Sequence, residues 1–472
     1  MPRMRLLRLL VLALPVVSCS SSKSAPSAKT CAIAAPSADF RLRADGTRFV
    51  DSLGRVVLLR GVDAGGRSKF APFVPFDYTN DFDAKLASYM DRAASWGISA
   101  MRVPFTWAAV EPTQGAYDED FLARYAKILD AAWARGIWTV VDMHQDVYAE
   151  VFCGDGFPAW TVPDPKPAPH HDCANWGSEY LGDKEMQAAF DRFWADGSPI
   201  MTAYLAMWDH VIARFKDKPG VLGFEPINEP GWGTQDSFSF EQGTLSKFYA
   251  TVVPRFRAAA PQSLVFIDPT GFSGVVVKTT LVRPPGDGVV FAPHFYPLGA
   301  ADPDAVEGKL QPWADIGKTW NVPVFVGEFG ARQDGPDSAA YMSAHFAALD
   351  HFGMSGTEWE YSVAAEPWNY ETFGLVDPLG NEYPAAAGLL RPFARAVAGD
   401  SIVAAYDATA HVFTLRYTPS AGVTEVSLPQ RAVPFGYDVT LTGACVDSSQ
   451  PGRLLLQPDT GAATVDLRVT RR

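Results

Sequence analysis

Two glutamates define the chemistry this chain is equipped for. Glu229 stands in Glu225-Pro226-Ile227-Asn228-Glu229-Pro230 and Glu328 in Gly327-Glu328-Phe329-Gly330, each just after a short apolar run. Breaking a glycosidic bond takes one carboxylic acid to protonate the leaving oxygen and one carboxylate to attack the sugar or position a water. A separation of about 5–5.5 Å between two such groups gives retention of anomeric configuration, and about 6.5–9.5 Å gives inversion. Further polar groups follow apolar runs in the same way: Arg102 in Met101-Arg102-Val103-Pro104, His144 and Asp146 in Asp142-Met143-His144-Gln145-Asp146, His294 and Tyr296 in His294-Phe295-Tyr296, and the pair Glu358-Trp359. Burying ionisable groups beside apolar strands is costly unless they are paired or functional. One such residue reads as a structural ion pair, whereas six segments loaded alike read as a site. A metal hydrolase built on His144, Asp146, Glu229 and His294 is the chemical rival. It lacks a compact ligand pair, so neither metal nor cofactor is expected.

The elements that must position these groups are legible as an alternation. Apolar, β-branched runs lie at 56–62, 98–103, 138–142, 221–225, 264–268, 289–293, 322–328 and 356–359. Between them, stretches at 82–96, 121–135, 201–215, 245–259 and 338–351 carry apolar residues three and four apart. Strands alternating with helices predict parallel βαβ units. Eight such runs predict an α/β fold of the (β/α)8 TIM-barrel type over 39–395, with an active site at the C-terminal ends of the strands. An open doubly wound sheet is the runner-up, but no Gly-rich phosphate turn follows the first run. Residues 400–472 change to short alternating runs broken by Gly, Pro and Asp, which predicts an antiparallel β-sandwich with an accessory role.

Composition limits what the chain can be. Its 472 residues are 47% hydrophobic and 20% charged, ample for a large core. With 40 Lys+Arg against 53 Asp+Glu the net charge is -13, so no nucleic-acid partner is expected. Arg3, Arg5 and Arg8 border and interrupt an apolar run that ends at Ser18-Cys19, the pattern of a signal segment over residues 1–18. Val16-Val17-Ser18-Cys19 resembles the lipobox of bacterial lipoproteins, which implies lipidation of Cys19, export, and anchoring to a membrane through acyl chains. Ordinary cleavage and secretion is the alternative. Residues 19–38, rich in Ser, Ala and Pro, read as a flexible tether. Four cysteines remain, and an even number in an oxidising compartment suggests two disulfides. Cys153 and Cys173 share one Gly/Pro-rich segment and are paired on that ground, leaving Cys31 with Cys445. A monomer is expected.

The ordered set Arg102, His144, Asn228-Glu229-Pro230, His294, Tyr296, Glu328 and Trp359 resembles glycoside hydrolase family 5. That resemblance implies a retaining enzyme with Glu229 as acid/base and Glu328 as nucleophile. It implies that Asn228 holds the sugar 2-hydroxyl, that Tyr296 hydrogen-bonds Glu328, and that Arg102 keeps Glu328 ionised by lowering its pKa. Glu229, by contrast, would sit where charge is less favourable and stay protonated. Asp142 to Tyr148, then Gly154-Asp155-Gly156-Phe157-Pro158-Ala159-Trp160, and Phe224 to Pro230 are similar to the endoglycoceramidase branch of the family. This implies a glycosphingolipid substrate cut between an intact oligosaccharide and ceramide. Carried over, Asp146 binds hydroxyls of the first sugar, and Lys69 and Trp359 help line the sugar pocket with His144 and His294. Phe152, Phe157, Trp160 and Trp176 either wall the lipid chains or pack their own insertion, and Phe238 and Phe240 are open in the same way. The competing readings are a family 5 enzyme for steryl or ceramide monoglucosides or for β-glucan or mannan, and a carbohydrate-binding surface lipoprotein without catalysis.

Overall fold

The computed structural model describes residues 28–164, 166–167, 173, 175–298, 302–333, 335–364 and 372–472, so the expected signal segment and Cys19 lie outside the described residues. Eight parallel strands form the centre: β1 Arg60–Asp63, β2 Ala100–Phe105, β3 Trp138–Met143, β4 Val221–Glu225, β5 Leu264–Ile267, β6 Val289–Phe291, β7 Phe325–Val326 and β8 Ser355–Glu358. β8 pairs with β1, and the parallel bridges Phe291↔Val324 and Phe295↔Phe329 join β6 to β7, which closes the barrel. The helices Phe82–Ser95, Glu119–Trp133, Pro199–Phe215, Ser246–Ala259, Val306–Trp320 and Ser338–Phe352 surround it.

The two-residue period of a strand explains why polar groups collect at one end. Ala100, then Trp138 and Val140, then Leu264 and Phe266, then Val290 and Ala292 point inward and pack together as one apolar plug. Two residues further along the same faces come Arg102, Asp142, Asp268 and His294. Their outward neighbours Met101, Val103, Val141, Val265 and Ile267 join the larger core under the helices. These four strands therefore seal the barrel floor with their first residues and carry a polar, ionisable group at or just beyond their ends.

Two antiparallel sheets of seven and four strands complete the molecule. Alternate residues Phe413, Leu415 and Tyr417 of Val412–Pro419 meet Leu454 and Leu456 of Arg453–Pro458 and Val465, Leu467 and Val469 of Val465–Arg471 in a separate core. The seven-stranded sheet also takes in Arg43–Asp45, Arg48–Val50 and Val56–Val57. The run expected as the first barrel strand is thus divided: Val56 and Val57 belong to the sandwich, and only Arg60–Asp63 belongs to the barrel. The two expected disulfides are present, Cys31–Cys445 and Cys153–Cys173. The first, with the bridge Thr30↔Val446, lays the end of the expected tether along the sandwich. No helix among the described residues is long and apolar enough to cross a membrane.

Candidate active site

Arg102 organises the barrel mouth. Fully buried, it donates from Nε and Nη2 to the two oxygens of Glu225 at 2.8 and 2.9 Å. Its Nη1 reaches Glu328 Oε1 at 2.8 Å and Asp63 Oδ1 at 3.2 Å, while Nη2 also donates to Asn228 Oδ1 at 2.8 Å and lies 3.1 Å from Asp142. One guanidinium thus serves four carboxyls. Burial pushes the Asp63 and Asp142 carboxyls well above the usual range, with Arg102 pulling both back only in part.

Glu229 and Glu328 meet across this mouth. An oxygen of each and a ring nitrogen of His294 all lie within 4.8 Å of one another. That fits the about 5–5.5 Å spacing of retaining glycosidases and is too close for the water an inverting enzyme holds at about 6.5–9.5 Å. Glu328 accepts from Arg102 on Oε1 and from the Tyr296 hydroxyl on Oε2 at 3.1 Å. Glu229 Oε1 is hydrogen-bonded to His294 Nδ1 at 2.8 Å. Glu229 is left-handed, φ 38°, an uncommon state for a non-glycine residue that is held only when the surroundings over-determine it. Here they do: its N–H donates to Asp268 Oδ2 at 2.9 Å, and Gln145 Nε2 donates to the carbonyls of both Asn228 and Glu229 at 3.0 and 2.8 Å.

Electrostatics separate the two glutamates in the expected order but not in the expected manner. Burial, reinforced by Asp146, raises Glu229 to about 8. Glu328 is also raised by burial, to about 7, against the pull of His294 and Arg102. The expectation that Arg102 would hold Glu328 below its ordinary value is therefore corrected: the guanidinium is divided among four carboxyls and does not overcome desolvation. The ordering survives, so the first proton to leave the pair is that of Glu328. His294 is lowered to about 4 and His144 to about 3, chiefly by burial, and both rings are neutral near pH 7.

The remaining predicted residues surround a cavity of about 310 Å³ whose lining includes Lys69, His144, Asp146, Tyr296 and Trp359 as well as both glutamates. Lys69 Nζ pairs with Asp146, which holds that carboxylate low although burial opposes it. Trp359 stacks on His144 with centroids 5.1 Å apart, and Lys69 Nζ sits 4.6 Å from its ring centre. Asn228 lies one shell below, donating to the Gln145 carbonyl at 3.0 Å. Glu358 does not join this set. A Cβ at Gly356, on the same strand face, would meet Leu349 of the surrounding helix, so Glu358 is turned outward, buried without a hydrogen-bond partner among the described residues. Glu229, His294 and Glu328 approach closely enough to ligate a cation, but the hydrogen bonds of Glu229 with His294 and of Glu328 with Tyr296 and Arg102 already account for the arrangement.

Of the insertion aromatics, Trp176 lines the cavity, whereas Phe152 and Phe157 are core residues at 1% and 2% exposure and Trp160 packs edge-on against Trp107. Phe240 is buried against Trp194, and Phe238 rests on Phe272. Tyr180, Trp232, Gly271, Phe272, Val275 and Phe373 line the cavity without having been singled out in the sequence. Asp268 was within reach of a two-residue count from Leu264 and Phe266. Gly271 had no such signal: a Cβ there would lie 2.5 Å from Glu229 Oε2, a constraint visible only in three dimensions.

Comparison with known proteins gives this geometry a lineage. The family model "Cellulase (glycosyl hydrolase family 5)" matches residues 58–364, and "Glycoside hydrolase family 5 C-terminal domain" matches 391–470. Endoglycoceramidase I of Rhodococcus hoagii (strain 103S) is 28% identical over 460 residues, covering 91% of this chain and 88% of that protein. Endo-glycoceramidase II from Rhodococcus sp. superposes with a TM-score of 0.76 at 26% identity, over 90% of this chain and 99% of that one. The same enzyme in a structure described as a lactosyl-enzyme intermediate gives 0.76 at 25%, again over 90% and 99%. Both the barrel and the C-terminal sheets are matched, so the chain is a retaining glycoside hydrolase and belongs to glycosyl hydrolase family 5.

Proposed function

We propose that this enzyme hydrolyses glycosphingolipids at the bond between glycan and ceramide, with Glu328 as nucleophile and Glu229 as acid/base. The observation that carries the roles is the pair itself: two carboxyls with oxygens within 4.8 Å, one buried and fixed by Arg102 and Tyr296, the other part-buried and raised to about 8 beside neutral His294. In the first step Glu328 attacks the anomeric carbon while Glu229 gives its proton to the glycosidic oxygen. The carbon–oxygen bond breaks and ceramide leaves as an alcohol. In the second, Glu229 takes a proton from water, whose oxygen displaces Glu328 and frees a reducing glycan with its β configuration retained. Lys69, Asp146 and His144 offer charge and hydrogen bonds to sugar hydroxyls, and Trp359 an aromatic wall. Trp232, Phe272 and Val275 add an apolar lining suited to a lipid leaving group. The relatives named above as endoglycoceramidases support this substrate class.

The test is a substrate panel: a ganglioside, a glucosylceramide and a soluble β-glucan, offered separately. Intact oligosaccharide released from the ganglioside, with little turnover of the other two, bears out the reading. Preference for β-glucan overturns it. We further propose that residues 1–18 are a signal, that Cys19 is lipidated in the exported protein, and that the (β/α)8 barrel and the antiparallel sandwich, which also takes in the strands Arg43–Asp45, Arg48–Val50 and Val56–Val57, act as catalytic and accessory units.

A further inference from the structure

Glu241 is fully buried, outside the cavity, in a single π-helical turn, Glu241–Leu245, that leads into the helix Ser246–Ala259. Such turns are rare and occur often at functional sites. Its carboxylate accepts five hydrogen bonds, all from one stretch of chain after β5. Oε1 takes the Thr270 N–H at 3.0 Å, the Thr270 hydroxyl at 2.9 Å and the Ser273 hydroxyl at 2.6 Å. Oε2 takes the Thr279 hydroxyl at 2.5 Å and the Thr280 N–H at 2.8 Å. Between those donors runs the short helix Gly271–Val276. Gly271 abuts Glu229, and the Gly274 carbonyl accepts from the Tyr296 N–H at 3.1 Å. A short helix with an exposed phenylalanine, Phe272 at 36%, has little burial of its own to hold it. The five bonds from one carboxylate supply that hold.

We infer that Glu241 is a positioning residue for the acid/base. It pins the Thr270–Thr280 segment so that Gly271 closes off the space behind Glu229 Oε2 and keeps that carboxyl against His294. Without the clamp, Gly271 withdraws, Glu229 gains freedom to leave His294, and protonation of the leaving oxygen slows. This rests on the assignment of Glu229 above, and the choice of leaving group separates the two. Glu241→Gln is isosteric, yet its amide nitrogen cannot accept from the donors on its side, so the clamp loses part of its hold. A dinitrophenyl β-lactoside departs without a proton, whereas a phenyl β-lactoside needs one.

For Glu241→Gln, kcat/KM on phenyl β-lactoside is expected to fall roughly tenfold or more, with the dinitrophenyl substrate within about threefold of wild type. Ser273→Ala and Thr279→Val each remove one donor and leave the carboxylate, and they should shift the same ratio in the same direction by less. They serve if Glu241→Gln does not fold. An equal fall on both substrates, or no change on either, overturns the inference. Glu229→Gln is the control: if it too fails to spare the dinitrophenyl substrate, the Glu229 assignment falls, and the inference with it.

Discussion

Glu328 meets Arg102 and Tyr296, Glu229 meets His294 and Asp268, and the two proposed roles rest on this difference in neighbours. With Glu328 at about 7 and Glu229 at about 8, the working form, Glu328 ionised and Glu229 protonated, is most populated between those values. Activity on an unactivated glycoside should fall below about pH 7 as Glu328 takes up its proton and fall above about pH 8 as Glu229 loses one. Because the groups interact, the limbs belong to the pair. A kcat/KM profile on phenyl β-lactoside measures them, and a dinitrophenyl substrate should lose the alkaline limb. A profile without that leaving-group dependence contradicts the assignment. At this scale the sequence was informative where a residue type has few bland uses, as with two glutamates and two histidines at strand ends. It could not show that Arg102 is shared among Asp63, Asp142, Glu225 and Glu328, because that count depends on four strands converging. Hence the sign of the Glu328 shift was missed.

Elements were read well where one signal dominates. All eight barrel strands fall within the predicted apolar runs or beside them, since strands buried on both faces read as continuous apolar stretches. The helix Val306–Trp320 is not among those read from spacing: Val306, Leu310 and Trp313 keep the period, but Gly308, Pro312 and Gly317 interrupt it. The barrel boundary was misplaced at Val56–Val57 because an apolar run does not say which sheet it joins. The loop after β5 carried no visible signal, yet it places Gly271 against the Glu229 carboxyl. Gly271→Ala tests that directly. Gly271 opens a helix, where alanine is well tolerated, but the added Cβ would sit 2.5 Å from Glu229 Oε2. Activity on phenyl β-lactoside should drop about tenfold or more, since displacing a general acid forfeits much of its roughly 10²–10⁴-fold contribution. Thermal unfolding should shift by only a few degrees. A wild-type rate would show that the contact does not hold the acid.

For the molecule as a whole, the N-terminal segment is shorter in reach than its composition suggests. Thr30 and Cys31 are fixed to the sandwich through Val446 and Cys445, so an anchor at Cys19 would be joined to it by no more chain than Cys19 to Thr30. At about 3.5 Å per residue that is at most roughly 40 Å, which would keep a lipid-anchored barrel close to its membrane. The acidic charge of -13 offers no attraction to anionic lipid, so acyl chains would have to do the holding. Cys19→Ser should therefore move the protein from the membrane to the soluble fraction while leaving hydrolysis of detergent-dispersed glycolipid near wild type. Retention of the variant at the membrane would contradict lipidation as the anchor.

The central claim, a covalent glycosyl ester on Glu328, can be observed directly. An activated 2-deoxy-2-fluoro-β-lactoside slows both steps, and its dinitrophenyl leaving group restores only the first, so the intermediate accumulates. Peptide mass spectrometry of the trapped enzyme should show one fluorolactosyl adduct, on the peptide containing Glu328 and lost in Glu328→Gln. An adduct on another carboxylate, or turnover with inversion and no adduct, would contradict the account.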